Sequence, residues 1–304
     1  MTTPVMPAWQ VWLRASRPFS LTAAFIPVTL GTVLAWREGY FNLLFYLLAV
    51  TVGIMLQIGT NLVNTYYDYI NGVDTTASSG DSNPILVMGW LSPPAVIKGG
   101  YLAFALAALS GLYLVFLRGW PLLLLGLVGV LGGYGYTARP LAYKYRGLGV
   151  PLVFILMGPL MVLGGYVVQT GYWQWTPVLV SLPVGFLVAG IMHGNDLRDV
   201  ETDRLAAVKT WSHIMGDKSE HCYYFLILGA YLSTILLVVG GLLPWPALLP
   251  LVLLQQGIKL TRMVRGGFRG NPALLGPIEP LTANLHLKYG MLFIIGLLLA
   301  GTGL

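Results

Sequence analysis

Charge is what this chain has least of. Only 9% of its 304 residues are charged, and Asp and Glu together number 11. A single cysteine, Cys222, excludes both an intrachain disulfide framework and a thiolate metal site. No series of short alternating segments is present, which argues against a closed membrane barrel. The residues before the first apolar run carry two arginines, Arg14 and Arg17, and lead straight into it, so no cleavable leader is expected. What fills the chain instead is apolar: 56% hydrophobic residues and a mean hydropathy of +0.74, well outside soluble-domain averages.

The expected fold is all-α and integral to a membrane. About nine runs are long enough, or nearly so, to cross a hydrocarbon core of roughly 30 Å as helices. They fall near 19–36, 41–66, 95–117, 120–138, 149–169, 176–193, 222–242, 243–258 and 285–303. Together they predict one transmembrane domain over 1–304 around a central cavity. With the N-terminus in the cytoplasm, fifteen of the 17 basic residues collect on one side and only Arg37 and Arg118 on the other. That bias predicts a multi-pass protein of the inner (plasma) membrane whose N-terminus and acidic loops face the cytoplasm. The net charge of +6 is then a topology signal, and no nucleic-acid partner is expected. Oligomeric state is not written in the sequence.

The few acids are not scattered. Six of the 11 lie in two stretches at the ends of apolar runs, Asn64 to Asp74 and Asn195 to Asp203. Both carry Asn-x-x-x-Asp, as Asn64/Asp68 and Asn195/Asp199, 131 residues apart, the length of four spans with their loops. The match is either coincidence or two pseudo-repeats of about four helices with parallel topology. On a helix, residues four apart share a face, so Asn64 meets Asp68 and Asp199 meets both Asn195 and Asp203. Asn71-Gly72 is a turn signal that folds Asp74 back toward the helix end. Acids at a membrane boundary are costly unless paired or bound to a cation. Hard oxygen ligands of this kind suit Mg²⁺, with Mn²⁺ as a substitute, and Mg²⁺ prefers a few carboxylates plus substrate phosphate. The expected ligand is a diphosphate bridged to the acids; the bland alternative is a set of interfacial acids balanced by Arg198, Arg204 and Lys209.

Between the two stretches lies a basic, aromatic loop, Tyr134-Gly-Tyr136-Thr-Ala-Arg139-Pro-Leu-Ala-Tyr143-Lys144-Tyr145-Arg146. It reads either as an ordinary positive-inside connection with an aromatic belt or as part of a site. In the second reading Arg139, Lys144, Arg146 and Lys209 hold phosphate oxygens, and the rings of Tyr136 and Tyr143 face a developing allylic cation.

These residues resemble the UbiA superfamily of intramembrane prenyltransferases. NLVNTYYDYINGVD at 61–74, followed by GWLSPPAV, looks like its first acidic motif, and HGNDLRDVETDRLAAVKT at 193–210 like its second. Within the superfamily, Gly72 to Asp74, Asn195 to Asp203, Tyr145 to Gly149, Gly165 to Gly171 and Thr282-Ala-Asn-Leu-His-Leu are similar to the 1,4-dihydroxy-2-naphthoate polyprenyltransferases of menaquinone synthesis. The resemblance implies metal binding by Asp68, Asp74, Asp196, Asp199 and Asp203, with Asn64 and Asn195 supporting. It implies a polyprenyl diphosphate and a small aromatic acceptor as substrates, and membrane lipid as surroundings. Three positions depart from the pattern: Thr65 stands for an Asp, Asn83 for an Arg and Val150 for an acid. The alternatives are another acceptor (4-hydroxybenzoate, homogentisate, a chlorin, haem or a glyceryl lipid), a cation-coupled transporter, or an inactive quinone-binding homologue. Transporter acids sit near midspan on broken helices; these lie at helix ends.

Overall fold

A long apolar run in lipid has no water to bond its backbone, so it satisfies its own N–H and C=O groups as a helix. The computed structural model describes residues 6–75 and 84–302, and these are almost entirely helical. The principal helices are α1 (Ala8–Ala15), α2 (Thr22–Arg37), α3 (Leu43–Ile70), α4 (Pro93–Arg118), α5 (Trp120–Tyr134), α6 (Gly149–Thr170), α7 (Leu182–Arg198), α8 (Ser219–Val239), α9 (Leu254–Phe268) and α10 (Ile278–Leu299).

Every expected span is helical over most of its length, but the nine are not equal. Among the described residues, six helical stretches are long and apolar enough to cross a membrane: Pro18–Arg37, Leu43–Ile70, Pro93–Arg118, Gly149–Thr170, Trp211–Val239 and Pro272–Leu299. The helix α5 is apolar but has only 15 residues, about 22 Å of rise. The stretch expected at 176–193 is broken at Ser181, between Trp175–Val180 and α7. The stretch at 243–258 starts as a 3₁₀ run, Trp245–Leu253, threaded by Pro246 and Pro250, because proline removes the donor an α-helix needs. It then continues as α9, which carries Lys259, Arg262 and Arg265.

Burial separates centre from rim. In the most apolar 18 residues of each span, 67% are buried in the first and 56% in the last, against 17% in Leu43–Ile70 and 22% in Pro93–Arg118. The rim helices expose Leu44, Leu47, Leu102, Leu109 and Phe116, a surface that suits hydrocarbon and not water. At the centre, α2 and α6 approach through glycine. A Cβ on Gly31 would lie 2.0 Å from the Val162 carbonyl oxygen, and one on Gly165 would lie 2.4 Å from that of Val28. Small residues let membrane helices close to this distance, where dispersion replaces the missing hydrophobic drive. Within α6 a π-turn at Leu156–Leu160 accommodates Pro159.

The two acidic motifs occupy equivalent positions, at the C-terminal ends of α3 and α7. They close the second and sixth of the expected spans, four spans apart.

Candidate active site

The first motif closes α3. Asn64 Nδ2 donates to Asp68 Oδ2 at 2.7 Å, the i,i+4 pair anticipated on one helix face. Beyond Asp68 the chain turns back through Gly72, whose φ of +72° is the left-handed region glycine enters freely. The N–H groups of Val73 and Asp74 then bond the Asp68 carbonyl at 2.8 and 3.1 Å, which brings Asp74 beside the helix end. Two residues of the 135–148 loop complete the motif. Lys144 Nζ reaches Asp68 Oδ2 at 2.6 Å, and Tyr145 donates its hydroxyl to Oδ1 at 2.7 Å.

The second motif repeats the pattern with local partners. Asn195 Nδ2 donates to Asp199 Oδ2 at 3.4 Å. Arg198 clasps Asp199 with both arms of its guanidinium, Nε to Oδ1 at 2.7 Å and Nη2 to Oδ2 at 2.6 Å, and its third nitrogen pairs with Glu279 on α10. The chain bends at Asp199 into the short helix Val200–Leu205. There the Asp203 N–H and the Thr202 hydroxyl both bond the Asp199 carbonyl, at 2.8 and 2.9 Å.

The motifs face each other across a polar cavity of about 20 Å³. Its wall holds Asp68, Asp74, Asp199 and Asp203, the amides Asn64 and Asn195, the Thr202 hydroxyl, and the cations Arg17, Lys144 and Arg198. Burial, then the nearby Asp68, pushes the Asp74 carboxyl up to about 6. Burial also raises Asp203, to about 7, with Asp199 and Asp68 adding to it against the pull of Lys144. For Lys144 burial works against the ammonium, but Asp68, Tyr145 and Asp203 outweigh it and the net shift is upward. Each of these acids therefore gains from an added cation. Among the described residues no three His, Cys, Asp or Glu side chains converge closely enough to cage a metal ion. The wall suits a hard cation that completes its shell with ligand oxygens.

A second cavity of about 430 Å³ adjoins the first, and Arg17, Asn64 and Asn195 line both. Its wall is otherwise largely aliphatic, from Leu56, Leu112, Leu122, Leu156 and their neighbours on α3 to α6. Tyr136 and Tyr143 stand on its wall, edge to face with centroids 5.3 Å apart. Their hydroxyls are spent on the protein, Tyr136 on Met192 Sδ at 3.0 Å and Tyr143 on the Gly132 carbonyl at 2.9 Å, so the rings are what they present.

The site therefore brings together Asn64, Asp68, Asp74, Lys144, Asn195, Asp199 and Asp203, with Tyr136 and Tyr143 adjoining. It does not bring in four residues expected from sequence. Asp196, grouped there with the metal carboxylates, is turned away: it is 2% exposed, and its Oδ2 accepts the Trp211 N–H at 3.1 Å, tying down the helix Trp211–Met215. Arg139, Arg146 and Lys209, expected on phosphate, are exposed and line neither cavity. Arg146 instead donates to the Pro140 carbonyl at 2.8 Å, and its backbone forms an isolated parallel bridge with Lys209.

Sequence reasoning passed over Arg17, Tyr145, Thr202 and Glu279, and assigned Arg198 only to charge balance. Arg17 precedes Pro18 and sits at φ +52°, and its guanidinium has no hydrogen-bond or ion-pair partner among the described residues. The signal for Arg17 was its place at the mouth of the first span; for Tyr145, its adjacency to Lys144. Of the departures, Thr65 is fully buried, bonds the Asn61 carbonyl at 3.0 Å and lines neither cavity, while Val150 packs against Ala189 and Leu226. Asn83 lies outside the described residues.

The chain has known relatives. Residues 24–266 match the model of the UbiA prenyltransferase family. The 1,4-dihydroxy-2-naphthoate octaprenyltransferase of Bacillus subtilis is 33% identical over 96% of this chain and 93% of its own length. The UbiA prenyltransferase domain-containing protein 1 of Xenopus tropicalis is 31% identical over 96% of this chain and 83% of its own. Among solved structures, a UbiA homologue from Archaeoglobus fulgidus bound to GPP and Mg²⁺ has a TM-score of 0.61 at 17% identity, over 94% of this chain and 99% of that one. With the acidic ends of α3 and α7 facing each other above an apolar cavity, this multi-pass membrane protein belongs to the UbiA prenyltransferase family.

Proposed function

We propose that the chain transfers a polyprenyl group from its diphosphate to a ring carbon of 1,4-dihydroxy-2-naphthoate, with loss of CO₂, as a step toward menaquinone. The observation that carries this reading is the wall shared by the two cavities: a chamber lined by four carboxylates and three cations adjoins a larger, apolar one suited to an isoprenoid. A diphosphate joined to a long hydrocarbon is the ligand with that polarity. The acceptor follows from the Bacillus subtilis relative. The Xenopus tropicalis relative keeps open a related acceptor within the family.

The donor set fits Mg²⁺ or Mn²⁺ shared with phosphate oxygens, because the cavity offers hard oxygen donors from Asp68, Asp74, Asp199, Asp203, Asn64 and Asn195. When bound, the metal neutralises the leaving diphosphate and lowers the barrier to breaking its C–O bond. The protein's own groups do the rest. Arg17, Lys144 and Arg198 stand on the same wall and are placed to take phosphate oxygens as charge develops there. The rings of Tyr136 and Tyr143 offer π faces to the allylic cation that C–O cleavage leaves. The aliphatic wall excludes the water that would quench it. The bias of basic residues supports a cytoplasmic N-terminus and cytoplasmic acidic loops, with the diphosphate head of a membrane-held donor at the water boundary on that side.

The test is mass spectrometry of products from purified protein given Mg²⁺, a polyprenyl diphosphate and a panel of aromatic acceptors. Prenylated, decarboxylated naphthoquinol is the expected product. Exclusive transfer to another acceptor would replace the naphthoate reading, and no transfer to any would remove the enzyme reading.

A further inference from the structure

Glu279 is the one carboxylate at this site that the mechanism above leaves unused. It sits in the first turn of α10, is 6% exposed, and stands on the wall of the large cavity beside Asn195. Its Oε2 already takes two donors, Arg198 Nη1 and Asn195 Nδ2, the latter at 3.3 Å. Its Oε1 takes none among the described residues, yet is not sealed inside the protein. A carboxylate oxygen at the edge of an apolar cavity gains substantially from a donor.

Neither part of the prenyl donor can supply one. The diphosphate is anionic and is repelled by Glu279, and the isoprenoid chain carries no polar hydrogen. The remaining substrate is also an anion, but its two ring hydroxyls are donors. We propose that Glu279 Oε1 receives a hydroxyl of the aromatic acceptor and so orients the ring at the polar end of the cavity, an assignment that rests on the prenyl-transfer reading. The position suits the task. Asn195, which Glu279 contacts, lines both cavities, so an acceptor held at Glu279 lies next to the junction where the C–O bond breaks. Arg198 holds Glu279 and Asp199 at once, which keeps the acceptor's anchor in register with the diphosphate chamber.

The sharpest variant is Glu279→Gln. Its amide oxygen would stay on Arg198, because an NH₂ group there would oppose the guanidinium. A donor would then face the cavity where Oε1 had been an acceptor. Binding of 1,4-dihydroxy-2-naphthoate and of its two monomethyl ethers would be measured by titration calorimetry without prenyl donor, alongside kinetics with Mg²⁺ and polyprenyl diphosphate. In the wild-type protein, methylating the hydroxyl that meets Glu279 should weaken binding about tenfold to a hundredfold, the range of a charge-assisted hydrogen bond. In Glu279→Gln that penalty should vanish, because an ether oxygen accepts from the new NH₂ group, while the KM for the prenyl donor stays within about twofold of normal. Glu279→Ala should also lose the penalty.

A wild-type protein that binds the parent and both ethers equally would overturn the proposal, as would a penalty that persists in Glu279→Gln. Equal losses for donor and acceptor in Glu279→Gln would reduce Glu279 to a counterion for Arg198. These failures are separable from failure of the prenyl-transfer reading. A wild-type protein that prenylates no hydroxylated aromatic overturns both, whereas normal turnover with an unchanged methylation pattern overturns Glu279 alone.

Discussion

The two acidic motifs are alike in sequence and unlike in how they are held. Asp68 relies on remote support: Lys144 and Tyr145 come from a loop more than seventy residues away, and the Asp68 side chain is 5% exposed. Asp199 is held by its immediate neighbour Arg198 and keeps a 22% exposed side chain. A buried ion pair leaves a costly lone charge when one partner is lost, whereas a more open pair with a second acid nearby does not. The aspartate of the same Asn-x-x-x-Asp unit is thus held once by a distant loop and once by its own neighbour.

That contrast can be tested, beginning with what both halves are proposed to share. Chelation by EDTA should abolish turnover, and Mg²⁺ or Mn²⁺ should restore it; full turnover in excess chelator would end the case for a metal-bridged diphosphate. Next, Asp68→Ala and Asp199→Ala should each slow turnover by on the order of a hundredfold or more, the scale of losing preorganised charge stabilisation. Their stabilities should differ. Asp68→Ala strands Lys144 and should cost on the order of 3 kcal/mol. Asp199→Ala leaves Arg198 on Glu279 and should melt in detergent close to the parent. Equal melting temperatures would erase the distinction drawn here.

Smaller effects should follow from the cations and rings. Lys144→Met should raise the KM for the prenyl donor or slow its ionisation about ten- to a hundredfold, with acceptor affinity nearly unchanged. Arg139→Met and Lys209→Met, whose side chains line neither cavity, should change the same parameters less than about twofold if surface charge is their only role. Tyr136→Leu should lower turnover several-fold more than Tyr136→Phe, since Phe keeps the π face; equal rates would remove the ring from the mechanism. The smallest effect is expected at Asp196→Asn, which retains an oxygen for the Trp211 N–H. Turnover and metal affinity close to normal would place Asp196 in the scaffold, and a metal defect would return it to the site.

Much of this was legible before any coordinates. Spacing alone joined Asn64 to Asp68 and Asn195 to Asp199, because the helical repeat puts i and i+4 on one face, and Asn71-Gly72 announced the turn that recovers Asp74. Helix type and approximate position followed from apolar runs that must bond their own backbones. Span by span, the reading was weaker at 176–193 and 243–258, where Ser181 and a row of prolines interrupt runs that composition alone treats as continuous.

What one dimension could not decide is which of the polar side chains in a shared segment turn toward the site. Asp196 and Asp199 are three residues apart with the same chemistry, yet one anchors a helix and the other faces the cavity. Arg139, Lys144 and Arg146 share one basic loop, yet only Lys144 turns inward, to a carboxylate 76 residues away. Arg17 and Glu279 are 262 positions apart and meet only as walls of the same cavity. The sequence by itself determined the membrane class, the helices and the paired acidic ends, because hydropathy and helical periodicity are local properties. The tertiary structure alone decided which charges converge and which oxygen of Glu279 stays open, because those outcomes depend on packing between helices distant in the chain.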